Sequence, residues 1–81
     1  MKWKLDPADP YAWQVEGFPF GVEKIDRACY VPFRLWGKAR LYVGQQTARG
    51  RENILFRSRR EAFAYVEEAV KKYEESIIRA V

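Results

Sequence analysis

The chain has 81 residues, a formal net charge of +4, 48% hydrophobic residues and 16% aromatic residues. This length leaves room for one domain with one modest core, and this composition excludes an intrinsically disordered chain. No apolar stretch reaches the roughly 18 to 20 residues that cross a bilayer, and residues 1–10 lack the apolar block of a secretory signal. We therefore expect a single cytoplasmic domain, residues 1–81, that does not act at a membrane.

The first part of the chain predicts two strands separated by turns. Residues 1–5 are expected to form a short edge segment, and residues 6–10 contain two prolines that fix φ, which is typical of a rigid turn. Residues 11–16 alternate between two sets of side chains, which predicts a strand with one buried face. Residues 17–21 predict a turn with two aromatic residues, and residues 22–31 predict a second strand.

A tight hairpin is predicted next, with strands over residues 33–36 and 39–43. Gly37 occupies the first position of the loop between them, where glycine favours a tight turn. Alternation within each strand leads us to predict that four basic and aromatic side chains share one face of this hairpin: Arg34, Trp36, Arg40 and Tyr42. A bulge at Pro32 would switch the alternation, so the sequence leaves open which face of the hairpin is covered.

A polar segment follows the hairpin. Residues 44–52 predict a loop that contains Arg49, Gly50 and Arg51. Arg-Gly-Arg is the core of the AT-hook, which inserts arginines into the minor groove of DNA, but a glutamate replaces the proline that completes the motif. An ordinary turn remains the alternative. Residues 53–57 predict a short apolar strand.

The C-terminal part predicts a long helix from about residue 59 to residue 79. Ser58 and Glu61 have the spacing of a capping box, in which each side chain accepts a hydrogen bond from the backbone amide of the other. Five apolar residues recur at spacings of three and four and predict one stripe that faces the sheet: Phe63, Val66, Val70, Tyr73 and Ile77.

These elements together predict an α+β fold, a small antiparallel β-sheet of three to five strands packed against one long C-terminal α-helix. Such a helix is about 30 Å long, whereas a six-residue strand covers about 20 Å, so the last turns of the helix are expected to overhang the sheet. Two positions for Ile77, Ile78 and Val81 stay open. They either form a homodimer contact or fold against Trp3 and Leu5.

The sequence lacks the residues on which most enzymes depend. There is no histidine and one cysteine, which excludes the common catalytic triads and zinc sites. Cys29 lies in an apolar strand context and is predicted to be a small core residue. We expect a protein without catalytic residues, metal or cofactor.

Positive charge is concentrated in the middle of the chain. Residues 24–60 hold ten basic and two acidic residues, whereas residues 61–81 hold three basic and five acidic residues. Such asymmetry favours an anionic partner. We predict that the binding residues are basic and aromatic side chains of the hairpin, the polar loop and the helix start: Arg34, Trp36, Lys38, Arg40, Tyr42, Arg49, Arg51, Arg57, Arg59 and Arg60.

Residues 30–70 resemble the DNA-binding domains of plant ethylene-response factors and the arm-site-binding domains of phage integrases, which join a three-stranded sheet to a helix. Residues 34–38, Arg-Leu-Trp-Gly-Lys, are similar to the Arg-Pro-Trp-Gly-Lys turn of the plant domain, and residues 56–62 resemble its Phe-x-Thr-x-x-Glu-Ala helix entry. The resemblance implies that residues on the sheet enter the major groove: Arg34, Trp36, Lys38 and Arg40. Residues 28–33 are largely apolar where that family has an arginine-rich strand.

Two functions follow as expectations. The first is binding of nucleic acid, DNA in preference to RNA, because arginine contacts phosphates and guanine edges while aromatic rings stack on bases. The alternative is contact with an acidic protein surface by a phage or mobile-element factor, such as an inhibitor of a host nuclease complex of the anti-CRISPR kind. Exposed tyrosine, tryptophan and arginine are equally typical of protein interfaces.

Overall fold

The computed structural model describes the backbone of residues 1–80 and the side chains of residues 1–77. The described chain forms seven strands and a helix: β1 (Trp3–Asp6), β2 (Asp9–Val15), β3 (Phe20–Asp26), β4 (Cys29–Trp36), β5 (Ala39–Tyr42), β6 (Gly44–Thr47), β7 (Gly50–Asn53) and α1 (Arg59–Ala80). Within this part of the chain, no helix combines the length and the apolar surface that crossing a bilayer requires.

The strands form two separate antiparallel sheets. Strands β1 to β5 pair in sequence order as a five-stranded meander, and β6 pairs with β7 in a two-stranded sheet. The α+β fold with one C-terminal helix is therefore confirmed, and the main sheet has the largest number of strands in the predicted range.

The single strand predicted over residues 22–31 is wrong, because the chain reverses in its middle. Strand β3 ends at Asp26 and β4 begins at Cys29. The Asp26 carboxylate accepts a hydrogen bond of 2.7 Å from the Arg27 amide, and Ala28 has a φ of +51°. An alanine in this left-handed conformation gives no sequence signal for a turn, since glycine and asparagine are the residues that favour it.

The loop predicted over residues 44–52 is also wrong, because these residues form most of the hairpin of β6 and β7. Gly50 has a φ of +109°, whereas Ala48 and Arg49 do not have positive φ, so the turn relies on the glycine that follows it. The strand predicted over residues 53–57 reduces to an isolated antiparallel bridge between Phe56 and Tyr30, with two backbone hydrogen bonds of 2.8 Å.

The helix agrees closely with its sequence pattern. Ser58 caps it, because its hydroxyl oxygen accepts a 3.2 Å hydrogen bond from the Glu61 amide. The predicted return bond, from the Ser58 amide to the Glu61 carboxylate, is not formed within the described residues, so half of the capping box is present. Val66 and Val70 of the predicted stripe are fully buried, together with Ala62. Ile77, the last residue of the predicted apolar stripe, is 49% exposed. The helix therefore extends past the buried core at this end.

One face of the five-stranded sheet, here called the helix face, packs against α1. Val15, Phe20 and Val22 on this face contact the buried residues of the helix. Trp3 stacks on Phe63 with a centroid distance of 3.8 Å, so β1 packs against the first half of the helix and Trp3 does not cover Ile77. The side chains of Ile78 and Val81 lie outside the described residues, and the homodimer contact stays a prediction.

The other face of this sheet, here called the opposite face, is buried by curvature of the sheet itself. Val31 and Phe33 on this face are fully buried although the helix lies on the other side. The guanidinium of Arg40 on β5 reaches the carboxylate of Asp6 on β1. These two strands would be about 19 Å apart in a flat sheet, so the sheet must curl to bring them together.

Candidate nucleic-acid interface

The predicted shared face of the β4–β5 hairpin is wrong. The two-residue loop pairs Trp36 with Ala39, so that Arg34 lies opposite Leu41 and Arg40 lies opposite Leu35. Directly paired residues project to the same face. Arg34 and Trp36 therefore lie on the helix face, and Arg40 and Tyr42 lie on the opposite face. The loop length already predicted this separation. A two-residue loop pairs each even-numbered residue of β4 with an odd-numbered residue of β5, so Arg34 and Arg40 cannot project to the same face.

Arg40 is held in an ion-pair network on the opposite face. Its guanidinium donates to Asp6 at 3.0 Å, to Asp9 at 2.9 Å and to Glu23. It also lies 4.9 Å from the ring centroid of Phe33. One cation is surrounded by three carboxylates here, so the cluster has a net negative charge. This face of the sheet would therefore repel a phosphate backbone.

The same network shifts the pKa values of its members. The hydrogen bond from the Tyr11 amide and then that from Arg40 lower the pKa of Asp9 below its usual value. Burial lowers the pKa of Arg40, but its hydrogen bonds to Asp9 and Glu23 outweigh that effect and raise it. Burial, followed by the charge of Glu23, raises the pKa of Tyr42, whose hydroxyl donates to the Glu23 carboxylate at 3.1 Å.

Arg34 lies near the C-terminal half of the helix, and Trp36 follows it on the same face of β4. The Arg34 guanidinium is 5.8 Å from the ring centroid of Phe20 and equally far from that of Tyr73. Trp36 is 71% exposed, and Leu41, which lies on the same face, is 52% exposed. Lys38 is exposed in the turn between β4 and β5. This end of the helix face therefore presents two exposed apolar side chains, Trp36 and Leu41, close in sequence to the exposed cations Arg34 and Lys38.

Arg49 and Arg51 belong to the β6–β7 hairpin, here called the ribbon (residues 44–53). Gln46 pairs with Arg51 on one of its faces, and Gln45 pairs with Glu52 on the other. The Arg51 side chain packs over the backbone of Gly44. A Cβ atom added to Gly44 would lie 2.9 Å from the Arg51 Nε. The ribbon contributes no residue to the core of the described chain.

Arg57, Arg59 and Arg60 are exposed at the start of α1. The Arg59 guanidinium lies 5.3 Å from the Trp13 ring and 5.7 Å from the Phe63 ring, which holds it against the helix face. These arginines follow directly after the bridge of Phe56, so the ribbon and the helix start are joined by a short anchored segment.

Lys24 and Arg27 extend this positive region and were absent from the predicted site residues. The Lys24 ammonium lies 5.9 Å from the ring of Tyr30, the bridge partner of Phe56. Arg27 occupies the exposed turn between β3 and β4. Both residues fall in the basic middle of the sequence, but the position of Lys24 beside Tyr30 depends on the pairing of β3 with β4.

Most of these cations have no anionic partner. Within residues 1–77, the ion pairs with carboxylates are those of Arg40 and of Lys71. The arginines of the ribbon and of the helix start are therefore available to an external anion. Cys29 is only partly buried at the start of β4 and is not among the core residues, so the prediction of a buried core cysteine is wrong.

Comparisons of the chain with protein-family models, with curated proteins and with solved structures found no match.

Proposed function

We propose that this protein binds DNA through the ribbon, with the arginines at the helix start contacting the phosphate backbone. The observation that carries this proposal is the ribbon itself. It is a polar strand pair that follows β5 in the chain, forms a sheet separate from the five-stranded one, and takes no part in the described core. Ordering such a hairpin costs conformational entropy without apolar burial in return, which favours a role in contact with a partner.

The chemistry of one ribbon face suits DNA. Gln46, Arg51 and Asn53 lie on this face, because Gln46 pairs with Arg51 and Gly44 with Asn53. Amide and guanidinium groups are the side chains that form bidentate hydrogen bonds to adenine and guanine edges. The major groove of B-DNA admits a two-stranded ribbon, whereas that of A-form RNA is deep and narrow. DNA is therefore the proposed partner.

The helix start supplies the non-specific part of the binding. Arg57, Arg59 and Arg60 surround the first turn of α1, where the helix dipole makes cations mildly unfavourable and an anion favourable. A phosphate placed there would relieve the repulsion among these arginines. Arg40 and Tyr42 have no part in this proposal, because their side chains belong to the acidic network on the opposite face.

Fluorescence anisotropy with a labelled duplex tests the proposal. Affinity is expected to fall steeply between about 50 and 200 mM salt, by roughly 0.9 logarithmic units per phosphate contact. Arg51→Ala is expected to weaken binding by about 1 to 3 kcal/mol if the guanidinium reaches a base. Lys72→Ala is the control, because it also removes one exposed positive charge but lies on the solvent side of the helix.

Two outcomes would reject this function. One is the absence of binding at low salt. The other is an equal loss of affinity for Arg51→Ala and Lys72→Ala, which would indicate attraction to net charge alone. Glu52→Gln, on the other ribbon face, is expected to keep or slightly increase affinity, since it removes a negative charge without touching the proposed contact face.

A second candidate function, binding to a protein such as a host nuclease complex, is favoured by the exposed Trp36 and Leu41. Large exposed side chains on one face are typical of interface hot spots. If this function holds in place of the first, a Trp36→Ala variant should lose binding to its protein partner, and the chain should bind duplex DNA no better than other proteins of the same charge.

A further inference from the structure

A small cavity lies at the end of the sheet where β3 turns into β4. Its volume is about 230 Å³, and five residues line it: Tyr11, Lys24, Ile25, Asp26 and Arg27. Pockets for drug-sized ligands begin at about 300 Å³, so this one suits a single flat ring better than a whole cofactor.

The lining combines a ring, a carboxylate and two cations. Tyr11 is 61% exposed, and its backbone amide is fixed by a 2.9 Å hydrogen bond to Asp9. Lys24 and Arg27 supply positive charge on the same rim. An exposed aromatic ring that lines the same cavity as two cations is a combination with which proteins stack a base and hold its neighbouring phosphates.

Asp26 adds a means of discrimination. Its Oδ1 accepts the hydrogen bond from the Arg27 amide at 2.7 Å, which orients the carboxylate. Its Oδ2 has no hydrogen-bond partner within residues 1–77 and can accept from an external donor. A carboxylate accepts from the exocyclic amino group of cytosine, whereas thymine presents a carbonyl oxygen at that position and repels it.

The cavity also lies next to the proposed DNA-binding residues. The Lys24 ammonium contacts the ring of Tyr30, which lies 6.3 Å from the Trp13 ring. Arg59 covers that same Trp13 ring at 5.3 Å. A strand that leaves a duplex bound at the ribbon and helix start can therefore pass over these side chains into the cavity.

We propose that this cavity binds one unpaired nucleobase that carries an exocyclic amino group, stacked on Tyr11 and hydrogen-bonded to Asp26. This inference rests on the proposed DNA binding and narrows the ligand to DNA with a single-stranded end. Lys24 and Arg27 contact the phosphates on either side of the bound base.

The test compares a blunt duplex with the same duplex carrying a single-stranded overhang of cytosines or of thymines, at neutral pH and by anisotropy. The cytosine overhang is expected to bind at least about 5-fold more tightly than the thymine overhang, which is the lower end of the range for one discriminating base contact. The wild-type protein is expected to bind the cytosine-overhang duplex at least about 5-fold more tightly than the blunt duplex. Tyr11→Ala should remove this gain in affinity, because base stacking is lost. Lys72→Ala, which lies on the solvent side of the helix and outside the proposed contacts, should leave that gain unchanged.

Asp26→Asn is the decisive variant. An asparagine keeps the oxygen that accepts from the Arg27 amide, so the turn is preserved, but its amide nitrogen donates to the thymine carbonyl. The preference for cytosine should disappear or reverse. If the wild-type protein binds the two overhangs with equal affinity, the inference is overturned. It is also overturned if the Tyr11→Ala variant still binds the overhang duplex more tightly than the blunt duplex. Failure of the blunt duplex to bind instead rejects the proposed function itself.

Discussion

Arg34 and Arg40 lie on adjacent strands but project from opposite faces of the sheet. Arg34 lies beside the rings of Phe20 and Tyr73 under the end of the helix, whereas Arg40 is held by three carboxylates across the curled face. The two arginines therefore have different roles. Arg40 joins β1, β2, β3 and β5, and its removal should affect stability more than binding.

Arg40→Met should lower the free energy of unfolding by about 2 to 4 kcal/mol at neutral pH, because three carboxylates would be left together without a cation. Chemical denaturation measures this change. Lys38→Met is the control, since it removes an exposed cation two residues away and should change stability by less than about 0.5 kcal/mol. A loss of similar size in both variants would contradict a specific role for the Arg40 network.

Acid should weaken this network in a defined direction. The pKa of Asp9 is lowered in the folded state from its usual value of 3.8. Its contribution to stability is therefore present above that value and is lost as the pH falls through the lowered pKa. The loss of unfolding free energy caused by Arg40→Met should become smaller over the same range of pH. A penalty that stays constant down to about pH 2 would show that the cost comes from packing and not from charge.

Tyr42→Phe should remove a contribution to the free energy of unfolding that the wild-type protein loses at alkaline pH. The pKa of Tyr42 is raised above its usual value of 10.0, so the phenol of the unfolded chain ionises first. The contribution is complete below pH 10 and is lost as the pH rises through the raised pKa. At neutral pH the variant should lose about 0.5 to 1 kcal/mol, the scale of one hydrogen bond. The difference between wild type and variant should narrow above pH 10, as followed by denaturation at a series of pH values.

Gly21→Ala should be among the most destabilising single substitutions. A Cβ atom at this position would overlap Cζ of the Phe33 ring, and it would lie 2.8 Å from Cε1 of that ring and 2.5 Å from the backbone oxygen of Trp13. Neither the strand nor the buried ring can easily move away, so the cost should reach about 3 kcal/mol. Gly17→Ala provides the comparison, because open space surrounds that position and its cost comes from a φ of +84° alone, about 1 kcal/mol. Equal costs would mean that the packing of Phe33 over Gly21 is looser than described.

Removing the ribbon should leave the fold intact. Replacing residues 45–52 with Asn-Gly would close the chain directly after the pair of Gly44 and Asn53 with a tight turn. The free energy of unfolding should change by less than about 1 kcal/mol, because surface changes away from the core have small effects. Affinity for duplex DNA should fall strongly. A large loss of stability would show that the ribbon supports the sheet, and it would remove the main argument for its role in binding.

The sequence by itself determined the elements whose signals lie within a few residues. The stripe of Val66 and Val70 and the cap at Ser58 predicted the helix, since helical periodicity and capping involve neighbours three and four positions apart. Gly37 predicted the hairpin of β4 and β5 for a similar reason, because turn conformation depends on one residue. The basic middle of the chain indicated an anionic partner, which the exposed arginines of the ribbon and helix start still support.

Only the tertiary structure decided which side chains share a surface. Arg40 meets Asp6 across 34 residues of sequence, through the curl of a five-stranded sheet that no local pattern describes. The ribbon could not be distinguished from a loop, because a polar hairpin without a buried face has no alternation of apolar and polar residues. The positions of Tyr11, Lys24 and Asp26 around one cavity follow from strand register, and register depends on pairing between distant segments and not on the residues of either segment alone.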